Sequence, residues 1–325
     1  MAMRNTIAQP GSPAAQRAHQ AVVEAALASG EAARSAIVAS WSRSARLHGL
    51  SPAQRHAAER LTEAEFAALR DRLGPVLEAA GPNLDRLFHA VSGLGACVVL
   101  ADAHGVPVDR RGNPGDDADF EHRGLWTGTL WSEAAVGTNA IGTCLAEGRA
   151  VTICRDQHFL SAHTGLTCMS APVHDAMGAL VAVLDVSSAR PEAGDGVAAL
   201  IAQSVNDAAR RIEADLFRTA YPRARLMLAP GLDRGAGALL AVDSDELVIG
   251  ATRAARLHYG LKGNLTQRPV PAADLLGLAT PQTLEEGERA VLARALARAG
   301  GNVSAAARDL GISRATFHRK LGRLS

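Results

Sequence analysis

The chain has 325 residues, of which 47% are apolar but only 3% aromatic, and its formal net charge is +1 at pH 7. That length suits two or three domains with cores filled mainly by Ala, Val and Leu, and the near-neutral balance excludes a molecule that is basic overall, so any nucleic-acid affinity has to be local. Four cysteines (Cys97, Cys144, Cys154 and Cys168) do not make a dense disulfide framework, no signal peptide shows, and no apolar run reaches transmembrane length, which points to a cytoplasmic protein with reduced thiols and no membrane partner.

Residues 1–12 read as a flexible lead-in, and residues 1–81 together as an N-terminal helical region. From Pro13 to about Leu50 the pattern is helical, with Ile37, Trp41, Ser44 and Leu47 at helical spacing until Gly49 and Pro52 stop it. Thr62 with Glu65 forms a capping box ahead of a second helix, interrupted at Gly74-Pro75. These pieces form a helical preface to the next domain, a place for dimer contacts.

Residues 82–217 read as one sensory domain. A helix carrying Leu84, Leu87, Phe88 and Val91 leads into the strand ACVVLAD (Ala96 to Asp102), which closes in a turn at Gly105. GTNAIGT (Gly137 to Thr143) suggests a tight turn feeding a helix. AVTICR, LTCMSAPVHD and ALVAVLDVSS follow as strands, with Asp185 read as ending the last. A long helix from about Gly196 to Phe217 closes the domain, with Val197, Leu200, Ile201, Val205, Ala208, Ile212 and Leu216 along its apolar side. Antiparallel strands with flanking helices make an α+β sheet domain, so the fold class is multidomain α+β.

Residues 223–263 read as strand, turn, strand and helix, a segment of about 40 residues that is small for a core of its own and would lean on its neighbours. Residues 264–283 carry three prolines and read as a linker. Residues 284–325 form an all-α C-terminal domain with eight Arg or Lys against four Asp or Glu. In it, Asn302 and Ser313 are N-caps of two short helices, Gly311 is the corner between them, and Ala305, Ala306 and Ala307 allow close packing. Val291, Leu292, Ala295 and Leu296 face inward from a preceding helix. On the last helix Phe317, Leu321 and Leu324 form a buried stripe, with Thr316, His318, Arg319 and Arg323 roughly opposite and Arg314 on the flank. A short helix presenting hydroxyl, imidazole and guanidinium groups suits a DNA major groove.

This C-terminal stretch resembles the Fis-type helix–turn–helix that ends many bacterial enhancer-binding activators. The resemblance implies homodimeric, sequence-specific binding of double-stranded operator DNA through Ser313, Arg314, Thr316, His318, Arg319, Lys320 and Arg323. Phe317-His318 stand where the family often has Leu followed by Arg or Tyr, so the base preference does not carry over. Upstream, SWSRS (Ser40 to Ser44), WSEAAVGTNAIGT (Trp131 to Thr143), QHF (Gln157 to Phe159), LTCMSAPVHD (Leu166 to Asp175) and LVAVLDVSS (Leu180 to Ser188) resemble the GAF-containing N-terminal part of acetoin- and dihydroxyacetone-type activators. Residues 236–261 are weakly similar to the start of a PAS domain.

Those activators carry a central AAA+ ATPase. Here no GxxxxGK[ST] phosphate loop occurs, and Lys262 and Lys320 are the only lysines. The expectation is therefore a transcriptional regulator that senses an effector through its GAF-like domain and works without ATP, with RNA polymerase or a related full-length activator as possible protein partners.

For the sensor, Trp126, Trp131, Glu133, Thr138, Asn139 and His158 are the effector-binding candidates, and a small organic molecule is the leading ligand. Cys154, His158, His163 and Cys168 follow the spacing C-x3-H-x4-H-x4-C, which could hold a zinc or iron ion or serve thiol redox sensing. Two other classes stand beside the regulator. One is an architectural or co-regulatory DNA-binding protein whose GAF-like domain only dimerises. The other is an enzyme with Cys168 as nucleophile and His158 or His163 as base, for which no third orienting group is identifiable.

Overall fold

The computed structural model describes residues 12–54, 59–190, 195–229, 237–278 and 283–323, without the side chains of residues 195 and 321–323. Nearly all of the lead-in expected over residues 1–12 lies outside the described residues, as does Leu324 of the expected apolar stripe. The chain divides into two compact units, Met1–Pro269 and Val270–Ser325.

In the first unit, α1 (Pro13–Ala28) starts at the cap Ser12, and α2 (Ala36–Ser42) starts at Ser35 and runs on into a π-helical turn, Arg43–Leu47. The Thr62/Glu65 capping box opens α3 (Glu63–Arg72). After Leu73 the chain enters α4 (Gly74–Val91), whose first turn holds Pro75, where a missing N–H costs nothing. This helix continues through Pro82, so the boundary expected at residue 82 falls inside one continuous helix.

The strands are β1 (Ala96–Asp102), β2 (Pro107–Arg111), β3 (Val151–Cys154), β4 (Thr167–His174) and β5 (Leu180–Ser188). They form one sheet in the order β2-β1-β5-β4-β3, every pair antiparallel. All seven residues of β1 are buried, because both faces of the sheet are covered. Period-2 alternation divides them. Val98 and Leu100, with Met169, Leu184 and Val186, meet Leu84 and Leu87 of α4 and Ile201, Val205 and Ile212 of α8 (Asp195–Ala220).

The opposite face offers Cys97, Val99, Ala101, Cys168 and Val183. Against it lie Phe120 of α5 (Pro114–His122), Val136 of α6 (Glu133–Val136), Ile141 and Cys144 of α7 (Ala140–Glu147), and Trp131 and Phe159. Val23, Val38 and Trp41 belong to the same cluster, so the N-terminal helices complete the core of the sheet domain instead of standing before it. Asp185 sits in the middle of β5, opposite Val99 and Ser170, and not at the strand end that the sequence suggested.

Three short strands follow, β6 (Arg225–Leu228), β7 (Leu239–Val242) and β8 (Leu247–Ala251), then α9 (Arg253–Tyr259). The strands run as antiparallel neighbours, and Leu239 and Ala241 pack on Ala214 and Phe217 from the end of α8. The short segment thus takes much of its core from the sensory domain.

The second unit begins with β9 (Val270–Pro271) and α10 (Ala272–Leu276), so part of the stretch read as a linker is folded. It continues with α11 (Leu284–Arg298), α12 (Val303–Asp309) and α13 (Arg314–Arg323). Among the described residues no helix is long and apolar enough to cross a membrane.

Candidate functional site

The trihelical part of the second unit is built by local signals. Thr283 and Glu286 form a capping box on α11, and Asn302 Oδ1 accepts from Ser304 N and Ala305 N, both at 3.1 Å. Gly311 turns the chain with φ +65°, a left-handed conformation that suits glycine. Ser313 Oγ then accepts from Thr316 N at 3.1 Å and opens α13. Phe317 is fully buried among Leu292, Ala295, Ala306 and Ala307, which fixes the rotation of α13.

With Phe317 inward, Ser313, Arg314, His318 and Arg319 are exposed. Thr316 is half-buried, with its hydroxyl 2.9 Å from that of Ser313. Lys320 forms an ion pair with Glu288 of α11, an intramolecular role that sequence reasoning did not anticipate. The side chains of Leu321 and Arg323 lie outside the described residues. Arg314, His318 and Arg319 leave a short polar and basic helix surface of the size and chemistry that a major groove admits.

The second candidate is the core of the sheet domain, where two buried polar networks interrupt apolar packing. The first ties the SWSRS block to the GTNAIGT block. Arg43 Nε donates to Glu133 Oε2 at 2.7 Å and Arg43 Nη2 to Oε1 at 2.8 Å. Ser40 Oγ and Thr143 Oγ1 also donate to Oε1, at 2.6 and 2.9 Å. Thr138 Oγ1 lies 2.7 Å from Ser40 Oγ and 3.2 Å from Ser44 Oγ. Burial works against ionisation of Glu133, but the hydrogen bonds from Arg43 and Ser40 outweigh it and hold the carboxyl below its usual range. A Cβ on Gly142 would lie 2.5 Å from Glu133 N, so glycine is what lets α7 approach this closely.

The second network lies on the sheet itself. Ser170 Oγ and Ser187 Oγ each donate to Asp185 at 2.6 Å. Ser187 Oγ is also 3.0 Å from Cys168 Sγ, which lies 3.5 Å from His158 Nε2. Burial pushes Asp185 up to about 6 against the two serine bonds, and pushes His158 down to about 3 and His163 to about 4.

Each of the six residues expected to bind an effector has a partner within the protein. Trp126 stacks on the Arg110 guanidinium, 4.4 Å from the ring centroid. Trp131 donates its indole N–H to Gly124 O at 2.8 Å and stacks on His163 at 4.8 Å. Glu133 and Thr138 belong to the first network. Asn139 caps α7, accepting from Gly142 N at 2.9 Å. His158 bridges Arg155 O and Cys168. Of the six, Trp131 alone lines the large cleft of about 810 Å³ that also touches Gln16, Leu50, Arg123, Leu160 and His163.

The four residues spaced as a metal set do not close on one point. His158 contacts Cys168, but His163 is turned onto Trp131 with its ring 6.4 Å from that of His158. Among the described residues, no three His, Cys, Asp or Glu side chains are placed to hold a metal ion. No disulfide joins the four cysteines, and burial drives the Cys168 thiol well above its usual range, the opposite of what a nucleophile or redox-sensing thiolate requires.

Residues 11–213 match the family described as MimR, N-terminal domain, and residues 283–324 match the bacterial regulatory protein, Fis family. The acetoin catabolism regulatory protein of Cupriavidus necator is 37% identical over 73% of this chain and 36% of its own length. The propane 2-monooxygenase operon transcriptional activator MimR of Mycolicibacterium smegmatis is 30% identical over 50% of this chain and 26% of its own. The chain thus spans about a third or less of these curated relatives. Among solved structures, the E. coli DhaR(N)-DhaL complex shares the fold with a TM-score of 0.53 at 16% identity, covering 70% of this chain and 76% of that one.

Proposed function

The chain belongs to the family defined by the MimR N-terminal domain and carries a Fis-type DNA-binding helix–turn–helix, and from that premise we propose that it is an effector-responsive transcriptional regulator acting without ATP hydrolysis. The observation that carries the reading is the rotation of α13, which buries Phe317 and leaves Arg314, His318 and Arg319 exposed on a helix held by two others. A homodimer fits the apolar Leu284 and Val291, exposed at i and i+7 on α11. Independence from ATP is supported by the lack of a GxxxxGK[ST] motif in the chain and by residues 214–282, which connect the two matched segments through β6–β9, α9 and α10. The names of the relatives make small oxygenated metabolites reasonable first effectors to try.

The test is selection of duplex DNA by the purified chain, followed by anisotropy titrations with and without candidate effectors and with no nucleotide present. Sequence-selective binding that shifts with an effector supports the reading. Binding that shows no sequence preference would favour an architectural role, and a requirement for ATP would exclude the proposed mechanism.

A further inference from the structure

Arg110 on β2 is a charged group of the sensory core that neither buried network uses. Its side chain is only 9% exposed, and Nη1 donates to Asp117 Oδ1 at 2.6 Å. Its Nε and Nη2 are buried and have no hydrogen-bond partner among the described residues. Those two nitrogens share one edge of the guanidinium, the edge that can donate in parallel to both oxygens of a carboxylate. Buried donors are normally satisfied, so an unpaired fork calls for a partner.

The fork is also held in place. The guanidinium carbon lies 4.4 Å from the Trp126 ring centroid and 5.4 Å from that of Phe120, which restrains its plane. A Cβ on Gly112 would lie 2.5 Å from Nη2, so the glycine keeps that flank free of a side chain.

Among the described residues, none places an anion on this edge. Arg110 stands opposite Val99, and Val99 opposite Asp185, so the two charges share one face of the sheet two strands apart. Yet both Asp185 oxygens already accept from Ser170 and Ser187. Cys97 is no counterion either: burial pushes its thiol up to about 12 and keeps it neutral, although Arg110 draws it down by charge and a weak side-chain contact.

We propose that Arg110 anchors an effector site in the sheet domain, and that the effector is a small organic carboxylate gripped by the Nε–Nη2 edge. This rests on the reading of the domain as a sensor and narrows it to anionic ligands.

The full chain is titrated with acetate, pyruvate and lactate, and with the neutral compounds acetoin and 2,3-butanediol, by calorimetry and thermal shift. At least one carboxylate should bind, and Arg110→Gln and Arg110→Lys should each weaken it about 10- to 100-fold, the loss of a charge-assisted two-point contact. Asp117→Asn, which leaves the fork intact and removes the competing charge, should bind at least as tightly as wild type. The proposal is overturned if none of the three carboxylates binds, if Arg110→Gln binds as well as wild type, or if Asp117→Asn weakens binding as much as Arg110→Lys, which would mark Arg110 as structural. DNA affinity is read separately. Carboxylate binding that depends on Arg110 but leaves DNA affinity unchanged supports the site while refuting regulation through it.

Discussion

Arg43 and Glu133, 90 residues apart in sequence, make a two-point ion pair with N–O distances of 2.7 and 2.8 Å. Glu133 is 5% exposed, so this pair, and not the exposed ion pairs of the surface, fixes how α2 seats on the sheet domain. Removing one partner strands the other. Arg43→Ala is expected to cost about 3–5 kcal/mol in denaturant unfolding of the full chain, because the Glu133 carboxylate is left buried with only hydroxyl donors. A double variant, Arg43→Met with Glu133→Leu, should recover much of that loss. If the double variant instead loses the sum of the Arg43→Met and Glu133→Leu costs, the two residues act independently and the pair contributes little.

The exposed cations of α13 make a separable expectation. Arg314→Ala and Arg319→Ala should weaken DNA binding while leaving melting of the sheet domain unchanged, since both side chains are exposed. If either contacts phosphate, its loss lowers the salt slope of binding by about 1, and a base contact instead costs about 1–3 kcal/mol at particular positions. Lys320→Ala should behave differently. With its ammonium on Glu288, it should loosen the packing of α13 on α11 more than it lowers the salt slope. Anisotropy titrations at several salt concentrations measure both quantities.

The contrast between the two units shows what the sequence reveals. The helix–turn–helix was legible because its determinants act within a few residues: Asn302 and Ser313 cap their own helices, Gly311 turns its own corner, and Phe317 marks the inward face of its own helix. β1, β3, β4 and β5 were legible as apolar runs, whereas β2, with Asp109, Arg110 and Arg111, is not such a run and falls in a stretch that reads as a polar loop. What was hidden depends on distant partners. Glu133 and Thr138 have the composition of ligand groups, but they are satisfied by Ser40, Arg43 and Ser44 from another helix, which periodicity cannot pair with them. The serines of SWSRS were the available signal, three hydroxyl and guanidinium positions on a face that packs inward. Asp185 is hidden for the same reason, since a carboxylate in mid-strand is costly unless hydroxyls meet it, and the one from Ser170 comes from a neighbouring strand. The domain boundary expected at Pro82 falls inside α4, and β9 and α10 occupy part of the stretch that Pro269 and Pro271 marked as a linker.

Phe317→Ala tests whether α13 depends on that single anchor. Among the described residues the ring is one of five buried side chains in its cluster, so its removal should cost about 3–5 kcal/mol and leave too little core for the trihelical part to fold. The amide resonances of α11–α13 should collapse toward unfolded positions and specific DNA binding should vanish. The sheet domain should retain its own melting transition.

Acidification sets two opposing terms against each other in the sheet core. His158 and His163 are held neutral, at about 3 and about 4 against 6.5 for a free imidazole. In the unfolded chain they take up protons as the pH falls below about 6.5, so stability is lost across the window from 6.5 to 4. Asp185, raised to about 6 from 3.8, acts in the other direction, because the folded state takes up its proton first as the pH falls from 6 to 4. Two strongly depressed imidazoles outweigh one carboxyl, so melting temperature should fall between pH 6.5 and 4. Asp185→Asn removes the opposing contribution and should steepen that fall, whereas His158→Gln should flatten it. Melting curves taken at half-unit pH steps on the three proteins measure the slopes, and a steeper loss in His158→Gln than in wild type would mean that the imidazole is not held neutral by burial.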